Sequence, residues 1–246
     1  MIAGLLVAAA GTVSFAQADR NAEPVDRIEA IIPSAVRALP LENPQVNFQV
    51  RLDETGRLVE HMATSATHYQ LIPAAETALR AAAFRPALAN GRPILAVGQV
   101  TVTLYDPEQR NFFQGSGPMP FGQSATDAMQ GRIYSINPEP LAYHRSKAGE
   151  LDKPIEVASS KVMLYTDAAG KPAKGKCVVE YWVDADGAVK FPRIVSSDNE
   201  AVSLSALLTL QQTKFVPPTH NSLPTYVQVR QPMEFDTAPV PPAPGK

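Results

Sequence analysis

Cysteine is almost missing from this sequence, since Cys177 is the single cysteine among 246 residues. A chain with one cysteine forms no internal disulfide, so its stability must come from hydrophobic cores. Cys177 stands in an apolar run, which favours a small buried side chain over a regulatory or intermolecular thiol.

Charge is also scarce, and neither sign dominates. Charged residues make up 19% of the chain, the formal net charge is -2 and the sequence pI is about 6.1. Nucleic-acid binding depends on a basic surplus that neutralises phosphates, so this composition argues against a nucleic-acid partner. The 45% hydrophobic content is enough for one large domain or two small ones.

Motifs of common catalytic sites are absent as well. The chain contains no G-x-S-x-G, H-E-x-x-H, G-x-x-x-x-G-K-[ST] or C-x-x-C. Two of the four histidines, His61 and His68, stand on different predicted elements, and no acidic residue completes a metal triad with them. The sequence therefore predicts a non-enzymatic protein with no catalytic residue, no metal and no cofactor. An enzyme of unrecognised type stays as a third alternative.

The N-terminus carries an uncharged apolar run from Ile2 to Ala16. This run is shorter than the roughly 20 residues of a membrane span, and it ends in small residues that suit signal cleavage. We therefore expect a signal peptide over residues 1–18 and an exported protein. The alternatives are an uncleaved anchor and a buried helix.

The rest of the chain contains an internal repeat at a constant offset of 131 positions. Phe84-Arg-Pro86 matches Phe215-Val-Pro217 without a gap. The same shift superposes further landmarks, which are Asp53 on Asp184, Gly56 on Gly187, Ser65 on Ser196, Asn90 on Asn221, Pro93 on Pro224 and Leu104 on Phe235. A whole set in one register indicates a duplication.

Each copy has the pattern of a β-β-α-β module. In the first copy, Phe48, Val50 and Leu52 alternate with polar residues as in a half-buried strand, and Asp53-x-x-Gly56 suits a hairpin turn. A helix over 71–83 follows, and in the second copy Ser197-x-x-Glu200 suits a capping box. The pattern predicts an α+β protein whose two sheets are three-stranded and antiparallel, with the first strand central and one helix packed on each. Phe84 and Phe215 are expected in the cores.

The remaining segments are assigned by composition and periodicity. A possible helix over 25–39 precedes the first copy, an extra strand over 161–165 opens the second, and the aromatic residues between Phe112 and Phe121 suit either packing or partner docking. The predicted boundaries are 1–18 (signal peptide), 19–43 (helical segment), 44–106 (first module), 107–159 (linker), 160–237 (second module) and 238–246 (Pro-rich tail).

The D-x-x-G turn and the F-x-P motif of each copy, the N-G-x-P stretch of the first copy and the Ser196-Ser197 pair of the second together resemble the C-terminal domain family of the energy transducer TonB. The resemblance covers about 44–106 and 160–236. It implies a periplasmic protein that binds an extended segment of an outer-membrane transporter by adding a strand to its sheet. The long Pro-rich spacer of the full transducers has no counterpart between residue 20 and the first module, so a binding role fits better than force transmission.

Two hypotheses of function follow. In the first, an envelope protein adds a strand to the last strand of the first copy, at Gln99, Val100, Thr101, Val102, Thr103 and Leu104, whereas Pro232 blunts the same edge in the second copy. In the second, the two modules pair with each other, bury those strands and act as a scaffold. Trp182 stands where the first copy has Arg51, which suggests that this exposed face of the second copy is used for packing against the linker.

Overall fold

The computed structural model describes residues 20–39, 41–108, 141–166 and 172–235. The predicted signal peptide, the aromatic segment Phe112–Phe121 and the predicted tail lie outside these residues. The described part is an α+β protein with two four-stranded sheets. The first half (20–108) holds one sheet, and the second half (141–235) holds the other.

The first half contains eight strands and two α-helices among its described residues. They are β1 (Glu23–Pro24), β2 (Glu29–Ile31), α1 (Ser34–Arg37), β3 (Gln45–Leu52), β4 (Leu58–Ala66), α2 (Ile72–Ala81), β5 (Phe84–Arg85), β6 (Ala87–Ala89), β7 (Arg92–Ile94) and β8 (Ala96–Tyr105). The strand order in the first sheet is β2-β8-β3-β4.

The second half follows a similar order of elements. They are β9 (Arg145–Ser146), β10 (Val157–Ser159), β11 (Gly175–Val183), β12 (Val189–Ser197), α3 (Glu200–Gln211), β13 (Lys214–Phe215), β14 (Thr219–His220), β15 (Leu223–Pro224) and β16 (Tyr226–Phe235). The strand order in the second sheet is β12-β11-β16-β9.

The central strand of each sheet buries one face against a helix. Alternate residues of β3 are buried, as period-two hydrophobicity predicts, and Leu79 of α2 packs on them. In the second half Val179 and Tyr181 of β11 pack with Leu210 of α3. The two F-x-P aromatics, Phe84 and Phe215, are buried as expected.

The hairpin turns after β3 and β11 share one hydrogen-bond pattern. The Asp53 carboxylate accepts from the backbone N–H groups of Thr55 and Arg57, and Asp184 accepts from Asp186 and Ala188 in the same way. Gly56 and Gly187 have φ of +82° and +76°, and a Cβ on either would collide with the carbonyl of the F-x-P phenylalanine behind it. Glycine is therefore required at both turns.

Strand register repeats between the halves at the offset of the sequence repeat. Gln45 lies opposite Thr103 in the first sheet, and Lys176 lies opposite Glu234 in the second. The small hairpins β6–β7 and β14–β15 agree as well, because Leu88 pairs with Pro93 and Thr219 pairs with Pro224.

Both sheets differ from the predicted three-stranded antiparallel form. The first strand is central as expected, but a short parallel strand is added to the last strand of each sheet: β2 pairs with β8, and β9 pairs with β16. The last long strand of each half is therefore an interior strand over part of its length. The predicted linker also contributes structure, since β9 and β10 belong to the second half.

The predicted helix over 25–39 is wrong. That segment forms β1, β2 and the single turn α1. Ile28, Ala30 and Ile32 are buried while the residues between them are not, so the apolar period is two and not 3.6. Pro33 also disfavours helical backbone at the residue before it.

Two local predictions in the second half are also wrong. Residues 161–165 form no strand, because Met163 and Tyr165 donate their backbone N–H groups to the hydroxyls of Thr209 and Ser205 on α3. The cap of α3 is Asn199, whose side chain accepts from the N–H of Val202, and not Ser197.

No helix in the described ranges is long and apolar enough to cross a bilayer.

Candidate partner-binding edge

β8 lies between a long strand and a short one. On one side it pairs with the whole of β3, from Leu52 opposite Ala96 to Gln45 opposite Thr103. The side chains of Val100, Val102 and Leu104 point into the core. Three of the six predicted site residues therefore pack in the core of the first half.

The outer side of β8, facing away from β3, is covered at its C-terminal end by β2. Thr103 donates its N–H to the Ile28 carbonyl at 3.1 Å, and Ile32 donates to the Tyr105 carbonyl at 3.0 Å. The structure therefore corrects the predicted edge, because Thr103 and Leu104 already have an internal neighbour there. The error follows from predicting a helix over 25–39.

The open edge is defined as Ala96–Val102. Leu104 donates its N–H to Pro44, on the β3 side, whereas Thr103 donates outward. Because backbone direction alternates along a strand, the N–H and C=O groups of Val97, Gln99 and Thr101 point outward too. Among the described residues no strand pairs with this side of the open edge.

The open edge is uncharged, since no Asp, Glu, Lys or Arg occurs from Leu95 to Thr103. The side chains of Leu95 and Val97 are 56% and 51% exposed, and Gln99 and Thr101 are exposed beside them. Natural edge strands are commonly protected by charge, proline or bulges. The open edge lacks the first two of these devices.

A short polar ladder fixes the surface next to the open edge. The Thr101 hydroxyl donates to Asn47 Oδ1 at 2.6 Å, and Asn47 Nδ2 donates to Ser65 Oγ at 2.9 Å. These bonds run across β8, β3 and β4, and so they hold the three strands in one register.

The opposite edge of the first sheet, β4, is covered by the second half. Ala66 and Tyr143 exchange two backbone hydrogen bonds of 3.0 Å, and the Tyr226 hydroxyl donates to the Thr64 carbonyl at 3.0 Å. Phe191 also donates its N–H to Glu60 Oε1 at 2.8 Å.

Aromatic rings complete this contact between the halves. The rings of Tyr143 and Trp182 lie 5.6 and 5.5 Å from the Tyr226 ring, and the Arg145 guanidinium lies 4.9 Å from the Trp182 ring. Trp182 packs partly buried against the core of the first half. The halves thus contact each other, but in the described residues they do so without pairing β8 with β16.

The corresponding edge of the second sheet is different. β9 covers Tyr226 and Val227, and Arg145 donates to the Gln228 side chain at 2.9 Å. Pro232 stands at the position equivalent to Thr101, where the backbone points outward, so this edge has no donor there. Arg230 takes the place of Gln99 and is exposed.

Burial sets the environment of two histidines and one carboxylate of the first half. Burial lowers the pKa of His61 to about 4, helped by Arg80 and Lys190, and burial raises the pKa of Glu76. His68 is buried and accepts from the N–H of Gln70. Within the described ranges, no three His, Cys, Asp or Glu side chains are placed to hold a metal ion.

Comparison with known protein families matches residues 166–237 to the Gram-negative bacterial TonB protein C-terminal. The matched range contains β11, β12, α3 and β16, and it lies wholly within the second half and the residues that follow it. No curated protein and no solved structure matches the chain.

Proposed function

We propose that this protein binds extended segments of envelope proteins, with outer-membrane transporters as the foremost class, by β-strand addition at the open edge of β8. The observation that carries the proposal is the row of outward backbone groups at Val97, Gln99 and Thr101, which no described strand occupies. Strand addition supplies affinity through such groups and selectivity through alternate side chains.

The family match supports the partner class. TonB C-terminal domains bind outer-membrane transporters and other proteins, and they do so in the periplasm. The matched half of this chain has a blunted edge, since Arg230 and Pro232 stand at the outward positions equivalent to Gln99 and Thr101. The binding role therefore falls to the first half.

The first half is proposed as a second copy of the same domain, over 44–106, beside the copy over 160–237. Three features support this: the sequence repeat, the shared register of β3–β8 and β11–β16, and the common geometry of the two Asp-x-x-Gly turns. In this proposal the segments before each copy supply β2 and β9, and the protein is exported and non-enzymatic.

A second candidate function is a rigid envelope scaffold. It is favoured by the contact between the halves, in which Tyr143, Phe191 and Tyr226 of the second half bond to strand β4 of the first. In this alternative the open edge has no partner strand, and another surface carries the interactions.

Site-specific photocrosslinking in the intact protein tests the proposal. A photoreactive residue at Val97, whose side chain is exposed beside the open edge, is compared with the same residue at Gln211, exposed on α3. The expected result is capture of an outer-membrane transporter from Val97 only, through an extended segment of that transporter. Absence of such capture, or equal capture from Gln211, contradicts the proposal and favours the scaffold.

A further inference from the structure

The strap, defined as residues 160–166, lies along the side of α3 and exposes apolar side chains. Met163 and Tyr165 hold it in place by donating their backbone N–H groups to hydroxyls of the helix. Val162 is 66% exposed, the highest value among the large apolar side chains of the described residues, and Leu164 and Tyr165 are 48% and 41% exposed. The strap is therefore fixed through its backbone, and its apolar side chains are left to solvent.

Two leucines of α3 continue this apolar area. Val202 and Ala206 are buried against the sheet, whereas Leu204 and Leu208 fall on the other side of the helix and are partly exposed. Leu208 is three residues after Ser205, whose hydroxyl holds the strap, so it is a neighbour of the strap on the helix surface. The apolar surface is defined as Val162, Leu164, Tyr165, Leu204 and Leu208.

The fold itself does not require leucine on this side of the helix. At the offset of the sequence repeat, Leu207 and Leu208 of α3 correspond to Glu76 and Thr77 of α2. The first copy thus keeps polar residues where the second copy carries leucines. An exposed apolar area that the fold does not require is typical of an interaction site.

The charge at the apolar surface is a single cation. Lys161 is the only charged residue from residue 157 to 166, and α3 has none from 201 to 212. Lys161 is exposed and forms no ion pair with any described residue. The nearest carboxylates along the chain, those of Glu156 and Glu200, stand at the outer ends of the two segments. An anionic surface therefore meets an attractive charge at the strap and no carboxylate within it.

We propose that the second half binds the surface of an anionic phospholipid bilayer through the apolar surface. Val162 and Leu164 insert below the headgroups, where acyl chains accept apolar side chains without a shaped pocket. Tyr165 and Lys161 lie at headgroup level, since both combine an apolar body with a polar end, and the ammonium group meets the lipid phosphates.

This inference is independent of the proposed function, because the apolar surface and the open edge belong to different halves. The second half contacts the first sheet at β4, and β8 lies on the opposite side of β3. A second half bound to a bilayer therefore leaves the open edge accessible to a partner strand.

Vesicle flotation of the full chain tests the proposal. The wild-type protein is expected to float with vesicles of phosphatidylglycerol and phosphatidylethanolamine. Val162→Asp is expected to lower the partition coefficient about tenfold, because a carboxylate replaces an inserted side chain. Val195→Asp is the matched control and is expected to bind like wild type, since Val195 is 39% exposed on the face of β12 opposite to the buried side of Ile194. Both valines are exposed, so both variants are expected to unfold at urea midpoints near that of wild type.

Lys161→Gln separates the charge from the apolar contact. Removal of one lysine near an anionic lipid surface is expected to weaken binding about fivefold at low salt. Binding to phosphatidylcholine vesicles, which carry no net charge, is expected to stay unchanged. An equal loss on both kinds of vesicle contradicts the placement of Lys161 at the headgroups.

Tryptophan quenching tests the insertion of the strap. Leu164→Trp adds an indole within the apolar surface, and Val195→Trp adds one outside it. Phosphatidylglycerol with brominated acyl chains is expected to quench the added fluorescence of Leu164→Trp and not that of Val195→Trp. The native Trp182 packs against the core of the first half and gives the same background in both variants. Equal quenching of the two variants contradicts the insertion.

Three results of the flotation experiment overturn the proposal. They are a wild-type protein that does not float, equal flotation of Val162→Asp and Val195→Asp, and a wild-type dimer that Val162→Asp dissociates in place of vesicle binding. The third result assigns the apolar surface to a second copy of the chain. Transporter capture from Val97 is measured without vesicles, so its failure overturns the proposed function and leaves the bilayer proposal standing.

Discussion

Thr101→Pro is the most informative single substitution, because proline removes one backbone N–H and fixes the local φ. The N–H of Thr101 points outward, so the variant removes a donor from the open edge without breaking the β3–β8 ladder. The protein contains its own precedent at Pro232, the equivalent residue of β16, where the strand continues to Phe235. We therefore expect the fold to accept this proline.

The expected cost in stability is small. The variant loses the 2.6 Å hydrogen bond from the Thr101 hydroxyl to Asn47, worth about 1 kcal/mol. Val100→Pro provides the contrast, since the backbone of Val100 bonds to Phe48 on the core side. That change breaks a ladder bond in the sheet interior and is expected to cost about 3 kcal/mol or more.

The effect on binding is expected to be larger than the effect on stability. A missing donor and a proline ring within the open edge should weaken capture of a partner strand about tenfold, or roughly 1.4 kcal/mol. Thr101→Val keeps the N–H and loses only the hydroxyl, so it should bind like wild type. Urea unfolding measures the loss of stability, and the crosslinking yield from Val97 measures the loss of partner binding.

Two results would refute this reasoning. If Thr101→Pro destabilises the fold as much as Val100→Pro, the assignment of outward and inward backbone along β8 is wrong. If Thr101→Pro folds normally and captures partners as well as Thr101→Val does, the open edge is not the binding site.

Three further predictions concern stability. Gly187→Ala is expected to cost about 2 kcal/mol or more in urea unfolding, because φ is +76° and the added Cβ meets the Phe215 carbonyl; a neutral result would contradict the turn geometry. Ser222→Gly is expected to raise stability by about 0.5–1 kcal/mol, since Ser222 has φ of +63°, and an unchanged midpoint would show that the turn is unstrained. His61→Gln is expected to flatten the loss of stability below pH 6.5, because the pKa of His61 is lowered to about 4 and the unfolded chain takes up the proton first; the loss removed is on the order of 2 kcal/mol, and parallel pH profiles would refute the assignment.

Much of the fold was predictable because its signals are local. Alternating apolar residues placed Phe48 and Val50 on the buried face, and the Asp-x-x-Gly spacing located both hairpin turns. The predicted antiparallel topology and the absence of proline led to the prediction that a partner strand binds the outer side of β8. The strands follow from period-two burial, and the turns follow from the positive φ that glycine allows. Both leave a pattern that is visible in a single sequence.

The missed features depend on pairing between distant segments. β2 has three residues. The alternation of the buried residues Ile28, Ala30 and Ile32, in β2 and on either side of it, is too short to outweigh a helical interpretation of the surrounding sequence. The scaffold hypothesis paired the modules through their last strands, whereas the contact between the halves uses β4, and Trp182 was expected to pack against the linker. Nothing local marks Tyr143 as the partner of Ala66, since that bridge joins residues far apart in the chain.

β2 begins opposite Thr103, and this boundary has a mechanical consequence for any strand added to β8. An added strand that is pulled along its own axis loads all its backbone hydrogen bonds at once, in shear. The same strand pulled sideways from one end opens them one at a time, as a zipper does, and yields at a lower force. Because β2 occupies the outer side of β8 from Thr103 onward, an added strand pairs only along Ala96–Val102, so the direction of the pull relative to this short stretch decides how long the connection holds.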